Sequence, residues 1–397
     1  MRYPLTITAS AMRDINRSAI LEIIRRHSPI SRTAIAKRLD VSLPTVMRIV
    51  DNLVEEGFVR PHGGSEWTGG RRRPLLEFNA DGYVVLGIDM GGTKIYGAIA
   101  DLGGNTLDDV TVARHGTLGE DSFAALTDLI DALLASPKLE GRRVRGIGVG
   151  APGITLHAEG IVKWAYNLNW KDFPLKARLS ERYSLPITVD NDLNLAALGE
   201  LWFGAGQNVQ DMILVAIGTG IGAGIIIDGA LYRGATEASG EIGNMLTGRE
   251  FLGKNYQDFG ALEVVASGTG IAERARAALK AGSPPPGVDE LLAEDVFVAA
   301  RQGQPWACAI IDETVDHLAV AIANLAVCFD PELIVLGGGV SRSTDLLVDP
   351  ILRRIEGTIP TLPRLVVSSL GLRAAAMGAI TNVLHNTSNF YVVHKLS

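Results

Sequence analysis

The sequence predicts an α/β chain in which a small winged helix–turn–helix segment precedes a larger, two-lobed body. Two short helices joined by a tight turn, then two strands around a basic Gly-rich stretch, are typical of a winged helix. Strand–turn–strand hairpins with glycine-rich turns occur near residues 89 and 218, which favours two similar lobes with a cleft between them. At 397 residues the chain is too long for one ordinary hydrophobic core.

The charge is distributed unevenly along the chain. Residues 1–80 carry 13 Lys+Arg and 8 Asp+Glu, a net charge of +5, whereas the remainder carries 24 and 36, a net charge of −12. A basic head on an acidic body predicts that only the first 80 residues meet nucleic acid.

Cysteine content and hydropathy exclude several other classes of protein. The two cysteines, Cys308 and Cys328, form no CxxC pair, which argues against a disulfide scaffold or a cysteine-rich metal site. The N-terminus lacks a secretory apolar segment, and the most apolar stretch, Met212–Ile227, is short for a membrane span and interrupted by glycines. We therefore expect a cytoplasmic protein without a membrane partner.

The elements of the head follow from apolar periodicity and capping residues. An apolar face predicts a helix over Asp14–His27. Ser31 is placed to cap a helix at Arg32–Leu39, and Ser42 to cap a recognition helix that Gly57 ends. The predicted wing consists of strands Phe58–Arg60 and Leu75–Phe78 with a basic tip at Gly63–Pro74.

The body alternates strands and helices. Its predicted elements are strands Val84–Asp89 and Lys94–Ala100, helix 121–135, strands Val144–Val149 and Ile187–Asp190, helix Asp192–Phe203, strands Met212–Ile217 and Ala223–Ile227, helix Trp306–Phe329, strand Leu333–Leu336 and helix Ala374–Leu384. We divide the chain into a head at 1–80, lobe one at 81–190 with helix 374–390 packing back onto it, and lobe two at 191–373.

Three glycine-rich turns are candidate phosphate and nucleotide sites. Glycines let backbone amides approach a phosphate closely, and Asp89 beside the first turn is suited to hold Mg²⁺ through water. The first turn alone is equally well explained as a tight hairpin that needs glycine, but three such turns in order favour a nucleotide site. The candidate contacts are Asp89, Gly91, Gly92, Thr93, Lys94, Gly218, Thr219, Gly220, Gly338 and Gly339.

Asp190-Asn191-Asp192 lies where a strand ends and a helix begins. Asp192 is placed to accept a proton from a sugar hydroxyl that attacks a γ-phosphate. The simpler interpretation is that Asp192 only caps the helix. Glu241 and Glu263 add carboxylates that suit vicinal hydroxyls, although most isolated glutamates are solvated.

Candidate DNA contacts lie around the recognition helix and the wing. Thr45 and Arg48 are off the apolar stripe of that helix and are able to reach base edges or phosphates. The arginine triplet is suited to a minor groove, although a solvated basic linker has the same composition. The full set is Ser31, Arg32, Ser42, Thr45, Arg48, Arg71, Arg72 and Arg73.

Over essentially its whole length the chain resembles ROK-family transcriptional regulators of the xylose-repressor and N-acetylglucosamine-repressor group. The resemblance is carried mainly by Gly87–Lys94, Val189–Asp192, Gly240–Gly243 and Pro331–Val340. It implies a two-lobed, actin-like ATPase (ROK sugar-kinase) fold with a sugar site in the cleft. It also implies that Asp192 is the base if the chain is a kinase, and that Gly153, Asn191, Asp192, Glu241, Asn244 and Glu263 lie at the sugar.

Two departures from the family pattern bear on metals and on the sugar. Asn244 stands where the family has a histidine that contacts sugar and binds structural zinc, and Thr247–Gly260 contains no cysteine. Zn²⁺ needs thiolate or imidazole ligands, so we expect no zinc, and we assign no residue as a ligand of a structural metal. We expect packing by Phe251, Leu252, Tyr256 and Phe259 to order that loop instead.

The sequence thus predicts a sugar-responsive repressor of carbohydrate-utilisation genes that a monosaccharide in the cleft releases from operator DNA. Such a regulator requires no cofactor and acts as a homodimer or homotetramer. The alternative is an ATP-dependent sugar kinase with Mg-ATP as cosubstrate and an autoregulatory head. In a third possibility, ATP binds without reacting, as a second effector.

Overall fold

The computed structural model describes residues 9–68, 71–114, 118–256, 260–281 and 287–387. It contains a small N-terminal head and two lobes, each built around its own sheet. No helix in these ranges is long and apolar enough to cross a membrane.

The head is a helical cluster backed by a small antiparallel sheet with strand order β1-β3-β2. Its elements are α1 (Ala9–His27), β1 (Ile30–Ser31), α2 (Arg32–Leu39), α3 (Leu43–Glu55), β2 (Val59–Thr68) and β3 (Arg71–Phe78). The apolar stripe of α3, made of Val46, Ile49, Val50 and Leu53, is buried as its spacing predicts. Asp40, with φ +51°, ends α2 and makes the turn into α3.

Two predictions about the head were wrong in part. The strands of the wing continue through most of the predicted tip, because β2 and β3 pair from Val59↔Phe78 to Thr68↔Arg71 with an irregularity after His62. Ser42 is the N-cap residue of α3 as predicted, but its hydroxyl makes no capping bond to the helix and bonds the Thr45 hydroxyl at 2.8 Å instead.

Lobe one is a mixed sheet with strand order β11-β7-β4-β5-β6 and a smaller antiparallel sheet with order β10-β9-β8. Its elements are β4 (Val84–Met90), β5 (Lys94–Asp101), β6 (Thr106–Ala113), α4 (Glu120–Leu134), β7 (Val144–Ala151), β8 (Ile154–Leu156), β9 (Ile161–Ala165), β10 (Trp170–Phe173), α5 (Leu175–Arg182) and β11 (Ile187–Asn191). Strands β4, β7 and β11 run parallel, so their carboxyl ends share one edge.

Lobe two repeats this plan with strand order β14-β13-β12-β15-β16. Its elements are α6 (Asp192–Phe203), β12 (Met212–Ile217), β13 (Ile221–Ile227), β14 (Ala230–Leu231), α7 (Ala261–Ala266), α8 (Gly268–Lys280), α9 (Ala293–Arg301), α10 (Pro305–Phe329), β15 (Leu333–Gly337), α11 (Val348–Ile355) and β16 (Arg364–Val367). The chain then returns as α12 (Ala374–Thr387).

Helices α6 and α12 cross between the two sheets at very short range. A Cβ on Gly378 would lie 1.7 Å from the Leu195 carbonyl oxygen, and one on Gly199 would lie 2.1 Å from that of Ala374. On its other side α12 covers β4 and β7, where Gly87 and Gly148 leave room for it. Glycine at these positions therefore lets α6 and α12 pack directly against each other as a layer between the two sheets.

The head and the body share one hydrophobic core. Ile20, Ile24 and Phe58 of the head pack in the same cluster as Val85 of β4 and Ile380 of α12, and all five are at most 1% exposed. At the edge of this seam the Arg25 guanidinium lies 4.5 Å from the Trp202 ring of α6. The head is therefore held rigidly against α6 and α12 rather than tethered by a linker.

Candidate functional site

The site is built at the shared carboxyl edge of β4, β7 and β11. Asp89 pairs in register with Gly150, and Gly150 pairs with Asp190, so two carboxylates flank one glycine. A Cβ on Gly150 would lie 3.1 Å from the Cα of Asp192, which is tighter than most packed contacts. The absence of a side chain at residue 150 therefore lets the start of α6 approach the strand ends.

Asn191, rather than Asp192, caps α6. The Asn191 Oδ1 accepts from the amides of Leu193 and Asn194 at 2.9 and 3.0 Å, and its Nδ2 donates to the Gly153 carbonyl at 2.9 Å. Asp192 is the first helical residue, and one of its oxygens accepts from the Leu193 amide. The interpretation of Asp192 as the cap is therefore wrong, and its second oxygen remains for other chemistry.

Gly153 adopts a conformation that glycine favours. Its φ is +79°, and a Cβ there would lie 2.1 Å from the Trp164 carbonyl oxygen of β9. The bond from Asn191 to the Gly153 carbonyl therefore fixes the loop after β7 against the start of α6.

The carboxylates at this edge perturb one another. Burial raises the pKa of Asp89 to about 7, while Lys94 acts in the opposite direction. Burial, and then the negative charges of Asp89 and Glu241, raise the pKa of Asp192 well above its ordinary value. An ionised Asp192 is consequently a stronger base than an exposed aspartate and a good acceptor for a sugar hydroxyl.

Two glutamates from lobe two face this cluster in different ways. The walls of the cleft desolvate Glu241 and, with the charge of Glu263, raise its pKa. Glu263 is fixed by backbone amides, because its two oxygens accept from Ile221 and Gly260 at 2.7 and 2.9 Å. Asn244 lies one turn from Glu241 and its Nδ2 is 3.4 Å from the Glu241 carbonyl oxygen. The charges of Asp89 and Glu241 therefore act on Asp192, and the charge of Glu263 acts on Glu241.

Of the glycine-rich turns predicted to bind nucleotide, the first meets the second across the cleft, and the third lies beside the second within lobe two. A Cβ on Gly92 would lie 2.7 Å from the Thr219 hydroxyl, and one on Gly338 would lie 2.3 Å from the Ile217 carbonyl oxygen. Gly220 abuts Glu263 in the same way. By contrast, a Cβ on Gly218 or Gly339 would meet nothing within 4 Å, so these two border open space.

Glycine-rich turns beside a carboxylate are the residue types that would hold a magnesium nucleotide. Asp89 supplies a carboxylate at the strand end, and Gly91, Thr93 and Lys94 form the turn and the return strand beside it. Backbone approaches of this kind suit phosphate oxygens, and bound Mg²⁺ would neutralise the Asp89 carboxylate.

Sequence reasoning missed Arg114, which supports the first turn. Its Nη2 donates to the Gly92 carbonyl at 2.6 Å and its Nη1 to the Asn167 carbonyl at 3.0 Å. Arg114 is only 5% exposed, and burial lowers its pKa. Its partners are 22 and 53 residues away, so no local pattern could have indicated this role.

The loop after Asn244 lacks ligands for the structural zinc of the family pattern, since Asn244 replaces the histidine and residues 247–260 contain no cysteine. Within the described ranges no group of three or more His, Cys, Asp or Glu side chains is arranged to hold a metal ion. Phe251 is buried, its ring lies edge-on to His317 at 5.6 Å, and Thr247 bonds His317 at 2.8 Å. Tyr256 packs against the same core. Leu252 was wrongly predicted to pack, being 64% exposed, and Phe259 lies outside the described residues.

The head presents some of the predicted DNA contacts to solvent and withdraws others. Arg48 is exposed on α3 beside Met47, and Thr45 is half-buried. Arg32 pairs with Asp51 at 2.8 Å. Ser31 is 2% exposed and its hydroxyl caps α2, so it supports that helix rather than facing DNA. Arg71, Arg72 and Arg73 lie in β3, but their side chains fall outside the described part of the structure.

Comparison with known families agrees with both halves of this architecture. The ROK family model matches residues 85–385, and a winged helix-turn-helix DNA-binding model matches residues 13–60. The chain belongs to the ROK family. The predicted fold class, a winged helix–turn–helix followed by a two-lobed ROK domain of the actin-like ATPase type, is confirmed.

Similar proteins include both regulators and kinases of the ROK family. A xylose repressor from Caldicellulosiruptor bescii is 31% identical and the match covers 96% of this chain and 98% of the relative. A ROK family transcriptional regulator, homologous to the Escherichia coli MLC protein, superposes with a TM-score of 0.81 at 28% identity over 95% of this chain and 97% of its own. A Streptomyces griseus glucokinase in complex with glucose and AMPPNP gives 0.64 at 32% identity, covering 75% of this chain and 98% of its own. The regulators match the head as well as the ROK domain, whereas the kinase leaves a quarter of the chain unmatched.

Proposed function

We propose that the protein is a sugar-responsive transcriptional repressor. The head binds operator DNA, and a monosaccharide in the cleft between the lobes releases it. The observation that carries this proposal is the course of α6, which begins at Asp192 in the candidate sugar site and ends at Phe203 against the head. The full-length similarity to a xylose repressor supports it.

Helix α6 offers a direct mechanical link between the two sites. Its 12 residues span about 18 Å. Trp202 and Phe203 at its far end contact the head, where Arg25 lies over the Trp202 ring. A shift of the helix start on sugar binding therefore moves the surface on which α1 rests.

The coupling has a thermodynamic requirement. A sugar changes DNA affinity only if it binds the DNA-competent and DNA-released states with different affinity. The proposal places that difference at Asp192, whose charge the carboxylates of Asp89 and Glu241 disfavour and which donating sugar hydroxyls would stabilise. We also propose that the chain acts in the cytoplasm as a homodimer or homotetramer, since one head alone offers little operator specificity.

The primary test is fluorescence anisotropy of the full chain on DNA from upstream of its own gene. Unrelated DNA serves as competitor, the salt concentration is fixed, and D-xylose and D-glucose are added in turn. We expect specific binding that one of these or a related monosaccharide relieves. Binding that does not prefer the upstream DNA, or that no sugar in a broad panel alters, would contradict the proposal.

A matched pair of variants assigns the DNA contact to the head. Arg48→Ala removes an exposed charge from the recognition helix and should lower specific affinity about tenfold, with a shallower salt dependence. Arg353→Ala removes an exposed arginine from α11 of lobe two and should leave DNA binding unchanged. Equal effects of the two substitutions would show that only overall charge matters.

A second candidate function, an ATP-dependent sugar kinase, is favoured by one specific observation. Asp89, the three glycine-rich turns and Asp192 all lie at the same cleft. In this proposal Asp192 is the base that accepts the proton of the attacking hydroxyl. ADP formation with D-glucose or D-xylose that Asp192→Asn abolishes would support it. Thermal stabilisation by AMPPNP without turnover would instead favour ATP as a second effector.

A further inference from the structure

A chain of charged side chains crosses the cleft beside the candidate sugar site. Asp190, at the end of β11 in lobe one, is completely buried. Both of its oxygens accept from Arg233 of lobe two, at 2.8 Å from Nη1 and 2.7 Å from Nη2. The two lobes are therefore joined by a bidentate ion pair, which fixes direction as well as distance.

The chain continues from Arg233 back to lobe one. Arg233 Nη1 lies 3.5 Å from Oε2 of Glu237, and Oε1 of Glu237 lies 2.9 Å from Nδ1 of His157. His157 is on the turn between β8 and β9. Arg233 and Glu237 are only 18% and 20% exposed, so solvent screens these contacts weakly.

Glu237 occupies its position at a conformational cost. Its φ is +61°, a left-handed conformation that glycine adopts freely and other residues disfavour by about 1 kcal/mol. In addition, its buried Oε2 faces Arg233 Nη1 at 3.5 Å, beyond an ordinary hydrogen-bond length. A strained glutamate that faces both His157 and Arg233 points to a role beyond the turn itself.

The Asp190–Arg233 ion pair is hydrogen-bonded to residues of the candidate sugar site. Asp190 Oδ1 accepts from the Asn191 amide at 2.8 Å and from Asn194 Nδ2 at 3.3 Å. Asn191 in turn caps α6 and holds the Gly153 carbonyl. Arg233 is thus two hydrogen bonds away from Asn191, which caps the helix that Asp192 begins.

We infer that Arg233, Glu237 and His157 form an interlobe clamp that positions Asn191 and Asp192 for the effector. They are positioning residues, because each acts through Asp190 or through another member of the clamp. The inference rests on the proposed sugar-responsive function and deepens it, since it names what sets the affinity of the cleft.

The test uses the full-length protein and two gentle variants. Glu237→Gly removes the carboxylate and relieves the strained φ, and His157→Gln removes the imidazole from the exposed end of the clamp. Arg233→Met is a third variant, but it leaves Asp190 buried without its partner and is at risk of unfolding. The matched control is Arg301→Met, which breaks another bidentate pair, with Asp345 at 2.8 and 2.8 Å, within lobe two.

Calorimetry with D-xylose and D-glucose gives the first readout. For the sugar that binds the unaltered protein, we expect Glu237→Gly to weaken binding about fivefold or more without lowering Tm, and Arg301→Met to have no effect. Affinity for DNA without sugar should stay within about twofold of the unaltered protein. Unchanged sugar affinity in both gentle variants would overturn the inference, as would a loss seen only together with a lower Tm.

Hydrogen–deuterium exchange without sugar separates failure of the clamp from failure of the proposed function. Peptides that cover residues 154–165 should exchange faster in Glu237→Gly and His157→Gln than in the unaltered protein, and Arg301→Met should match the latter. Unchanged exchange would show that the clamp does not exist, whether or not a sugar binds. Faster exchange in a protein that binds no sugar would establish the interlobe contact and contradict only the effector role.

Discussion

The two ends of α6 lie in opposite environments, although the helix is only 12 residues long. Its start lies among Asp89, Asp190 and Glu241, where carboxylates repel and only Asp190 has a bidentate partner. Its end, at Trp202 and Phe203, packs against the apolar core shared with the head. The first environment changes readily when a ligand or proton arrives, whereas the second moves as a packed unit. A regulator needs this combination, because the signal arises at the polar end and is transmitted by the apolar end.

Buried ionisable groups at the two ends have opposite responses to pH. At the start, burial raises the pKa of Asp89 to about 7. At the end, burial lowers the pKa of His385, which packs edge-on to Trp202 at 5.7 Å, to about 4. Each group is therefore more stable neutral, but Asp89 becomes charged as pH rises and His385 as pH falls.

The largest expected effect comes from breaking the link between the two ends. Gly378→Ala places a methyl group 1.7 Å from the Leu195 carbonyl oxygen, so the α6–α12 crossing must open. We expect the free energy of unfolding to fall by about 3 kcal/mol, near the upper end for overpacked sites. Denaturant unfolding measures this loss. Gly63→Ala is the control, since its Cβ would meet nothing within 4 Å, and equal losses in the two variants would refute the close crossing.

The next effect concerns the polar end. Because the pKa of Asp89 is raised in the folded state, its contribution to stability is present at low pH and is lost as pH rises towards 7. Between pH 5 and 7.5 this loss should be about 2.5 kcal/mol, and Asp89→Asn should remove it. Unfolding free energies of both proteins at the two pH values test this. Parallel pH profiles would show that Asp89 titrates normally.

The apolar end should respond with the opposite sign. The pKa of His385 is lowered in the folded state, so its contribution is present near pH 7 and is lost as pH falls towards 4. Between pH 7 and 5 the loss should be about 2 kcal/mol, and His385→Leu should remove it. The difference between the two unfolding profiles is the measurement. A variant that loses as much stability as the unaltered protein over this interval would place the pKa of His385 near its ordinary value.

Local signals account for the elements that the sequence predicted well. Helix α6 begins and ends where predicted, because the residues that determine its ends, the Asn191 cap and the terminating Gly204, directly precede and follow it in the sequence. The meeting of the strand ends at Asp89 and Asp190 also follows from parallel pairing. Family similarity, rather than local pattern, indicated that Glu241 and Glu263 belong to the same cleft.

The remaining features depend on contacts between distant residues. The wing strands extend to Thr68 on one side and from Arg71 on the other, because cross-strand pairing outweighs the turn preference of glycine and proline. Arg233 reaches Asp190 from 43 residues away, so nothing near either residue predicts their contact. Ser31 was also predicted to contact DNA, but it caps α2, and the pairing of β1 with β3 leaves it 2% exposed.

The smallest predicted effect separates transmission of the signal from sugar and DNA binding themselves. Arg25→Met removes the guanidinium that lies 4.5 Å from the Trp202 ring and should cost about 0.5–1 kcal/mol of head–body contact. Its control, Arg178→Met, breaks a similar contact at 4.1 Å from Phe123 of lobe one, and each arginine also pairs with a nearby glutamate. Sugar affinity and sugar-free DNA affinity should be unchanged in both variants, whereas the fold-change that sugar causes in DNA affinity should shrink only in Arg25→Met. An undiminished response would mean that α12, rather than the end of α6, carries the signal to the head.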